Sequence, residues 1–172
     1  MPVIIVILLI LIVATIFAMR REKKHNAMLE ERKNTLALEN ISNEIIVKDA
    51  KDLKHIFQID DVNKKFSVDY IIHDFKELIN YEYFIDGESI ISGRGLETMA
   101  GAAAFGVAGA MIGSSGSRTQ TNKITTAKII LRLTNVAEPT QTIDINPKKA
   151  RSKEVEDIIS LLQYIKLNAD KN

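Results

Sequence analysis

Cysteine is absent from the 172-residue chain, which excludes disulfides, thiolate metal sites and a cysteine nucleophile. That absence leaves the compartment open, because cysteine-free proteins occur on both sides of a membrane. An excess of charge of one sign is also lacking: 23 Lys and Arg meet 22 Asp and Glu, for a formal net charge of +1. Such a chain has no global basic field for a polyanion, and no nucleic-acid partner is expected. Histidine occurs only three times, at His25, His55 and His73. These lie far apart, without ligand-like spacing and without an identifiable partner. Asp60-Asp61 and Asp69…Asp74 lack the spacing of a Ca²⁺ loop. No Ser-His-Asp order or paired-carboxylate motif stands out. The stretch "GRGLETMAG", from Gly93, lacks the Gly-Lys-Ser/Thr of a phosphate-binding loop and the G-x-G-x-x-G of a dinucleotide fold. The expectation is a protein with no catalytic residues, no metal and no cofactor.

What the chain does have is one long hydrophobic run, "MPVIIVILLILIVATIFAM", with no charged side chain from Met1 to Met19. As a helix rising about 1.5 Å per residue it reaches roughly 27 Å, close to the ~30 Å hydrocarbon core of a bilayer. Pro2 sits at the start, where its missing N–H costs little. A cleaved signal peptide would put positive charge before the run and a small-x-small site after it. Here the order is reversed, and "RREKKH" (Arg20 to His25) follows the run. The positive-inside rule places Arg20 onward in the cytoplasm and Met1 outside. A buried core helix would need a polar face, which this run lacks. Residues 1–19 are therefore expected to be an uncleaved transmembrane helix. Arg20, Arg21, Lys23 and Lys24 mark its cytoplasmic end and are suited to anionic headgroups.

Residues 20–40 read as a charged helical connector. Met28, Leu29, Leu36 and Leu38 give a thin apolar stripe. Leu29 and Leu36 are one heptad step apart, enough for weak pairing with a second copy but not for a coiled coil. From Ile41 the period changes to two. "NEIIVKD" is a strand, and "KHIFQID" and "KKFSVDY" form a hairpin around "DVN". In the second arm Phe66, Val68 and Tyr70 alternate with Ser67 and Asp69, which predicts one buried face. "IHDFKELI" reads as one or two helical turns. "NYEYFID-GE-SIIS" is the clearest hairpin, turning at Asp86-Gly87. "KITTAKIILRLTN" and "TQTIDIN" are the last strands, joined through "VAEP". "SKEVEDIISLLQYIKLNAD" is an amphipathic helix with Ser152 as N-cap and Val155, Ile158, Ile159, Leu162 and Ile165 as its packing face. The sum is about seven antiparallel strands and a terminal helix, an α+β class.

That order resembles a pleckstrin-homology-like (PH-like) domain, a partly open β-barrel or sandwich capped by a C-terminal helix. The stretch "DDVNKKFSVDYIIHDFKELINYEYFIDGESIISG" (Asp60 to Gly93) is similar to small bacterial and phage proteins with this fold. In these a hydrophobic step, here Phe75, Leu78 and Ile79, precedes a strand ending in an acidic-Gly turn, here Asp86-Gly87. A Gly-rich apolar insertion follows, here beginning "GRGLETMAG". The resemblance covers roughly residues 41 to 168 and implies a PH-like domain over 41–172 with the insertion at 94–118. It implies a bacterial plasma-membrane protein with a cytoplasmic module that binds membrane lipid or protein. The basic signature of phosphoinositide-binding members is not evident in "DDVNKK".

The insertion is too short to cross a bilayer: Met99 to Ile112 would reach only about 20 Å as a helix. A single crossing would also separate strands that must share one sheet. Gly109 and Gly113 form a G-x-x-x-G pair beside a row of Ala102, Gly106 and Ala110, which permits close backbone approach. Met99, Phe105, Val107, Met111 and Ile112 are apolar where a loop should be polar, as at an interaction surface. Membrane or partner contact is therefore expected at Met99, Phe105, Gly106, Gly109, Met111, Ile112 and Gly113; a mobile loop is the alternative. Lys148, Lys149, Arg151 and Lys153 beside the last helix suit an anion or headgroup, or a solvated loop. Two functions follow: a single-pass membrane protein presenting a binding module, or a protein that oligomerises or perturbs membranes through its Gly-zipper-like segment.

Overall fold

The computed structural model describes residues 2–92 and 124–169. A single helix, α1 (Pro2–Leu36), runs unbroken from the apolar N-terminus through the charged connector. Continuity follows from composition: Pro2 stands at the first turn, and no Gly or Pro interrupts the 34 residues after it.

Two four-stranded antiparallel sheets follow among the described residues. The first contains β1 (Asn43–Lys48), β2 (Lys54–Asp60), β3 (Lys65–Val68) and β4 (Ile71–Asp74) in that spatial order. The second contains β5 (Leu78–Ile85), β6 (Glu88–Ser92), β7 (Ala127–Leu133) and β8 (Thr140–Ile145) in the order β6-β5-β7-β8. Strands on either side of the insertion thus share one sheet. Phe57, Ile59 and Phe66 from the first sheet meet Tyr81, Tyr83, Ile129, Leu131 and Ile143 from the second in one core. The last helix, α2 (Lys153–Asn168), packs on β1 and β5. Val155, Ile158, Ile159, Leu162 and Ile165 are its buried face, as their spacing predicts. Ser152 holds the N-cap position, but its side chain makes no capping hydrogen bond.

The hairpin turn at Asp86 and Gly87 has φ of 50° and 86°, the left-handed pair that joins strands most tightly. Asp86 Oδ1 accepts from Thr125 N (2.8 Å), Thr125 Oγ1 (2.7 Å) and Thr126 N (2.9 Å), pinning the returning chain to this turn.

Three expectations change. The described strands number eight, where about seven were expected. "IHDFKELI" is mostly extended: a single 3-10 turn at Phe75–Glu77 links β4 to β5 as the chain changes sheets. Phe75, the first residue of that turn, fills the core. Finally, β3 is buried on both faces, because Ser67 is as buried as Phe66. Ser67 Oγ donates to Gln58 Oε1 (3.0 Å), and Gln58 Nε2 donates to Glu44 Oε2 (2.6 Å). A polar residue was thus mistaken for a solvent-facing one because its partner lies across the sheet.

Candidate membrane-facing site

Residues of α1 from Val3 to Val13 are each more than half exposed, so nothing in the described chain covers their apolar side chains. The helix is long and apolar enough to cross a membrane, with a mean hydropathy of 3.0 in its most apolar window.

The charged half of α1 lies against its own domain. Leu29 is 4% exposed and packs with Ile56 of β2 and Tyr70 of the β3–β4 turn. His25 Nε2 donates to the Lys54 carbonyl at 2.6 Å. Arg32 Nη1 reaches the Asp69 carbonyl at 3.4 Å. Leu36 stays 48% exposed. The expected seam of Leu29 with Leu36 for a second copy is therefore not available as a seam: Leu29 is consumed internally.

Asp69 and Tyr70 organise this contact. Both have positive φ, 52° and 63°, which costs a non-glycine residue about 1–2 kcal/mol. The turn persists because both side chains are held. Tyr70 is buried under α1, and Asp69 accepts from Ile56 N (2.9 Å) and pairs with His55 Nδ1 (2.9 Å). The His25 ring meets His55 edge-on at 5.9 Å. Burial works against the charged His55 imidazole. The Asp69 hydrogen bond and charge, with Asp49 and Asp144 beyond, outweigh it and raise the His55 pKa.

His55 and His73 therefore have partners that sequence reasoning missed. His55 meets Asp69 across the β2–β3 register, and His73 Nδ1 meets Glu77 Oε2 (2.8 Å) around the 3-10 turn. Other acids considered as metal ligands are also engaged. Asp60 accepts from Asn63 N (2.9 Å) and Asn63 Nδ2 (2.8 Å); Asp61 accepts from Lys64 Nζ (2.8 Å) and the Tyr164 hydroxyl (2.6 Å). Among the described residues no cluster of His, Asp and Glu is arranged for a metal.

The β1–β2 turn brings the two basic clusters into one neighbourhood. Leu53 lines a groove with Arg21, Lys24 and His25 of α1. On the other side, Lys48 and Lys149 line a cleft with Asp52 and Glu154. The turn is held by its own hydrogen bonds: Asp49 Oδ1 accepts from Lys51 N (2.7 Å) and Leu53 N (2.8 Å). Asn146 N, just before the 3-10 turn Pro147–Lys149, donates to the Lys48 carbonyl at 2.7 Å. Arg20, Lys23, Lys24, Lys48, Lys51, Lys54, Lys148, Lys149, Arg151 and Lys153 are all exposed, and Arg21 is half-buried. Lys48, Lys51 and Lys54 were not singled out from sequence. Their three-residue spacing around a strand turn was the available signal. The expected contacts Met99, Phe105, Gly106, Gly109, Met111, Ile112 and Gly113 lie outside the described residues.

A two-sheet sandwich with a C-terminal helix, carried on a helix of membrane-spanning length, defines a PH-like domain protein with a membrane-compatible N-terminus. A family model for the glycine zipper containing PH domain matches residues 18–147, about three quarters of the chain, and the protein belongs to that family. The matched range takes in the charged half of α1, so the docked connector is part of the family unit. No curated protein and no solved structure matches the chain.

Proposed function

We propose that this protein is a single-pass, non-catalytic membrane protein whose PH-like domain holds its basic end against anionic lipid headgroups. The observation that carries this reading is the β1–β2 turn, flanked by α1 cations on one side and by Lys149 on the other. Because α1 is continuous, His25 follows the apolar run by only about 9 Å of helix, within reach of the headgroup layer. Lys48, Lys51 and Lys54 are then presented to the same layer as Arg20, Arg21, Lys23 and Lys24. Each basic residue near an anionic surface contributes about 1 kcal/mol. The anchor supplies residence at the bilayer, and the cations choose its composition and the domain's stance on it. The positive-inside rule favours the domain in the cytoplasm and the N-terminus outside, and the resemblance to bacterial PH-like proteins favours a bacterial plasma membrane. The Gly/Ala segment would add a second contact, with lipid, another copy or a membrane-protein partner.

The test uses the full chain in nanodiscs. A single Ala50→Cys reporter has no background, since the chain has no other cysteine. Its reaction with a soluble maleimide should slow when phosphatidylglycerol is added to phosphatidylcholine. The slowing should vanish at high salt and in the Lys48, Lys51, Lys54→Gln variant. Equal rates in the two bilayers would refute the headgroup reading.

A further inference from the structure

Strand β8 is the last strand of its sheet, and its outer edge is open along half its length. Leu133 N donates to the Pro139 carbonyl (2.9 Å), which sets the parity of the β7–β8 ladder. Gln141, Ile143 and Ile145 then bond β7, while the backbone groups of Thr140, Thr142, Asp144 and Asn146 point away from it. Of these four, only Asn146 finds a backbone partner among the described residues, in Lys48. An unpaired strand edge is a template for another strand.

This edge is not simply solvent-facing. Glu138, Thr140, Gln141 and Thr142 line one side of a cleft of about 410 Å³, and Arg32, Val68, Asp69 and Ile71 line the other. Gln141 alternates with Ile143 and Ile145 on the inner face and is 8% exposed. Both atoms of its amide are buried with no hydrogen-bond partner. Such groups are costly to leave unmet. The lining sets one cation, Arg32, against the carboxylates of Glu138 and Asp69, so charge selects no ligand; what the cleft offers is an unpaired backbone edge and a buried donor–acceptor pair.

We infer that this cleft binds an extended peptide segment of a partner protein that carries an amide or hydroxyl side chain, added as a strand to the open edge of β8. Its backbone would pair with Thr140 and Thr142. The amide or hydroxyl side chain would point inward and meet Gln141. The mode is strand addition, in which backbone bonds give affinity and side-chain pockets give specificity. It is independent of the headgroup reading, because the edge and the basic turn are different surfaces.

The experiment pans a displayed library of random nine-residue peptides against the full chain in neutral phosphatidylcholine nanodiscs, then measures selected peptides by titration. The neutral bilayer keeps the outcome separate from any effect of anionic lipid. Peptides with an amide or hydroxyl residue should be enriched over empty nanodiscs. Thr142→Pro removes an outward N–H that the β7 ladder does not use, a position where an edge strand tolerates proline. It should weaken binding about tenfold with secondary structure retained, since one backbone bond is lost and the ring crowds the added strand. Gln141→Met should fold normally and, whether or not Thr142→Pro folds, lose the amide or hydroxyl preference. No enrichment, or enriched peptides indifferent to Gln141→Met, would overturn the inference.

Discussion

Replacing Leu29 with alanine should release α1 from the domain while sparing the sandwich. Three residues of α1 make the contact: Leu29 in its cluster with Ile56 and Tyr70, His25 through the 2.6 Å bond to Lys54 and its edge-on packing against the His55 ring, and Arg32 through the long 3.4 Å contact to Asp69. A net hydrogen bond contributes about 1 kcal/mol, and one stretched to the limit of bonding distance contributes less. A buried Leu→Ala change costs about 2–5 kcal/mol, and a three-residue cluster at the margin of a domain belongs at the low end. A loss of about 2 kcal/mol multiplies the undocked population roughly 30-fold. Leu29 takes no part in the main core around Tyr81, Tyr83 and Ile129, so global unfolding should move little. Hydrogen exchange on the full chain in nanodiscs reads both quantities at once. Amides of His25 to Leu36 should exchange about 30-fold faster, while those of β5 and β7 keep their protection. Unchanged exchange in α1 would refute the docking account. Equal loss of protection in β7 would show that Leu29 belongs to the core after all.

Two further outcomes follow from single groups. The raised pKa of His55 means that its pairing with Asp69 stabilises the fold fully below the ordinary histidine value near 6.5. That contribution is lost as pH rises through the elevated value, so the denaturant midpoint should fall across this window. Asp69→Asn, which keeps an acceptor for Ile56 N, should flatten the dependence. Tyr83, pushed up to about 12 chiefly by burial, donates to the Ala150 carbonyl inside the domain. Tyr83→Phe strands that carbonyl and should cost about 1–3 kcal/mol in chemical unfolding.

The strands with strict alternation were legible because one apolar face met one core. β7, with Ala127, Ile129, Leu131 and Leu133 buried in turn, is the clearest case. α2 was legible for the same reason at helical period. What failed depended on partners distant in the chain. Ser67 looked solvent-facing because its partner Gln58 sits on the neighbouring strand. His55 looked solitary because Asp69 comes to it through the hairpin register, helped by two positive-φ residues that no periodicity announces. Leu29 looked like half of a dimer seam because its true cover, Ile56 and Tyr70, emerges only once β2 and β3 are paired. The proposed basic surface was half legible. Both cation clusters stand out in sequence, but the contacts of Asn146 with Lys48 and Asp49, which bring the second cluster to the β1–β2 turn, do not.

An unbroken α1 also removes slack between bilayer and domain. Transmembrane helices tilt to match local hydrocarbon thickness. Here the same rod that tilts is clamped to the sandwich at His25, Leu29 and Arg32, so any lean of the membrane segment becomes an equal rotation of the domain. A lean of about 20°, ordinary for such helices, acts over a lever of roughly 15 Å from Met19 to Leu29 and displaces the clamp by about 5 Å. If the protein sits in the bilayer as proposed, the domain's stance would follow bilayer thickness as well as lipid charge.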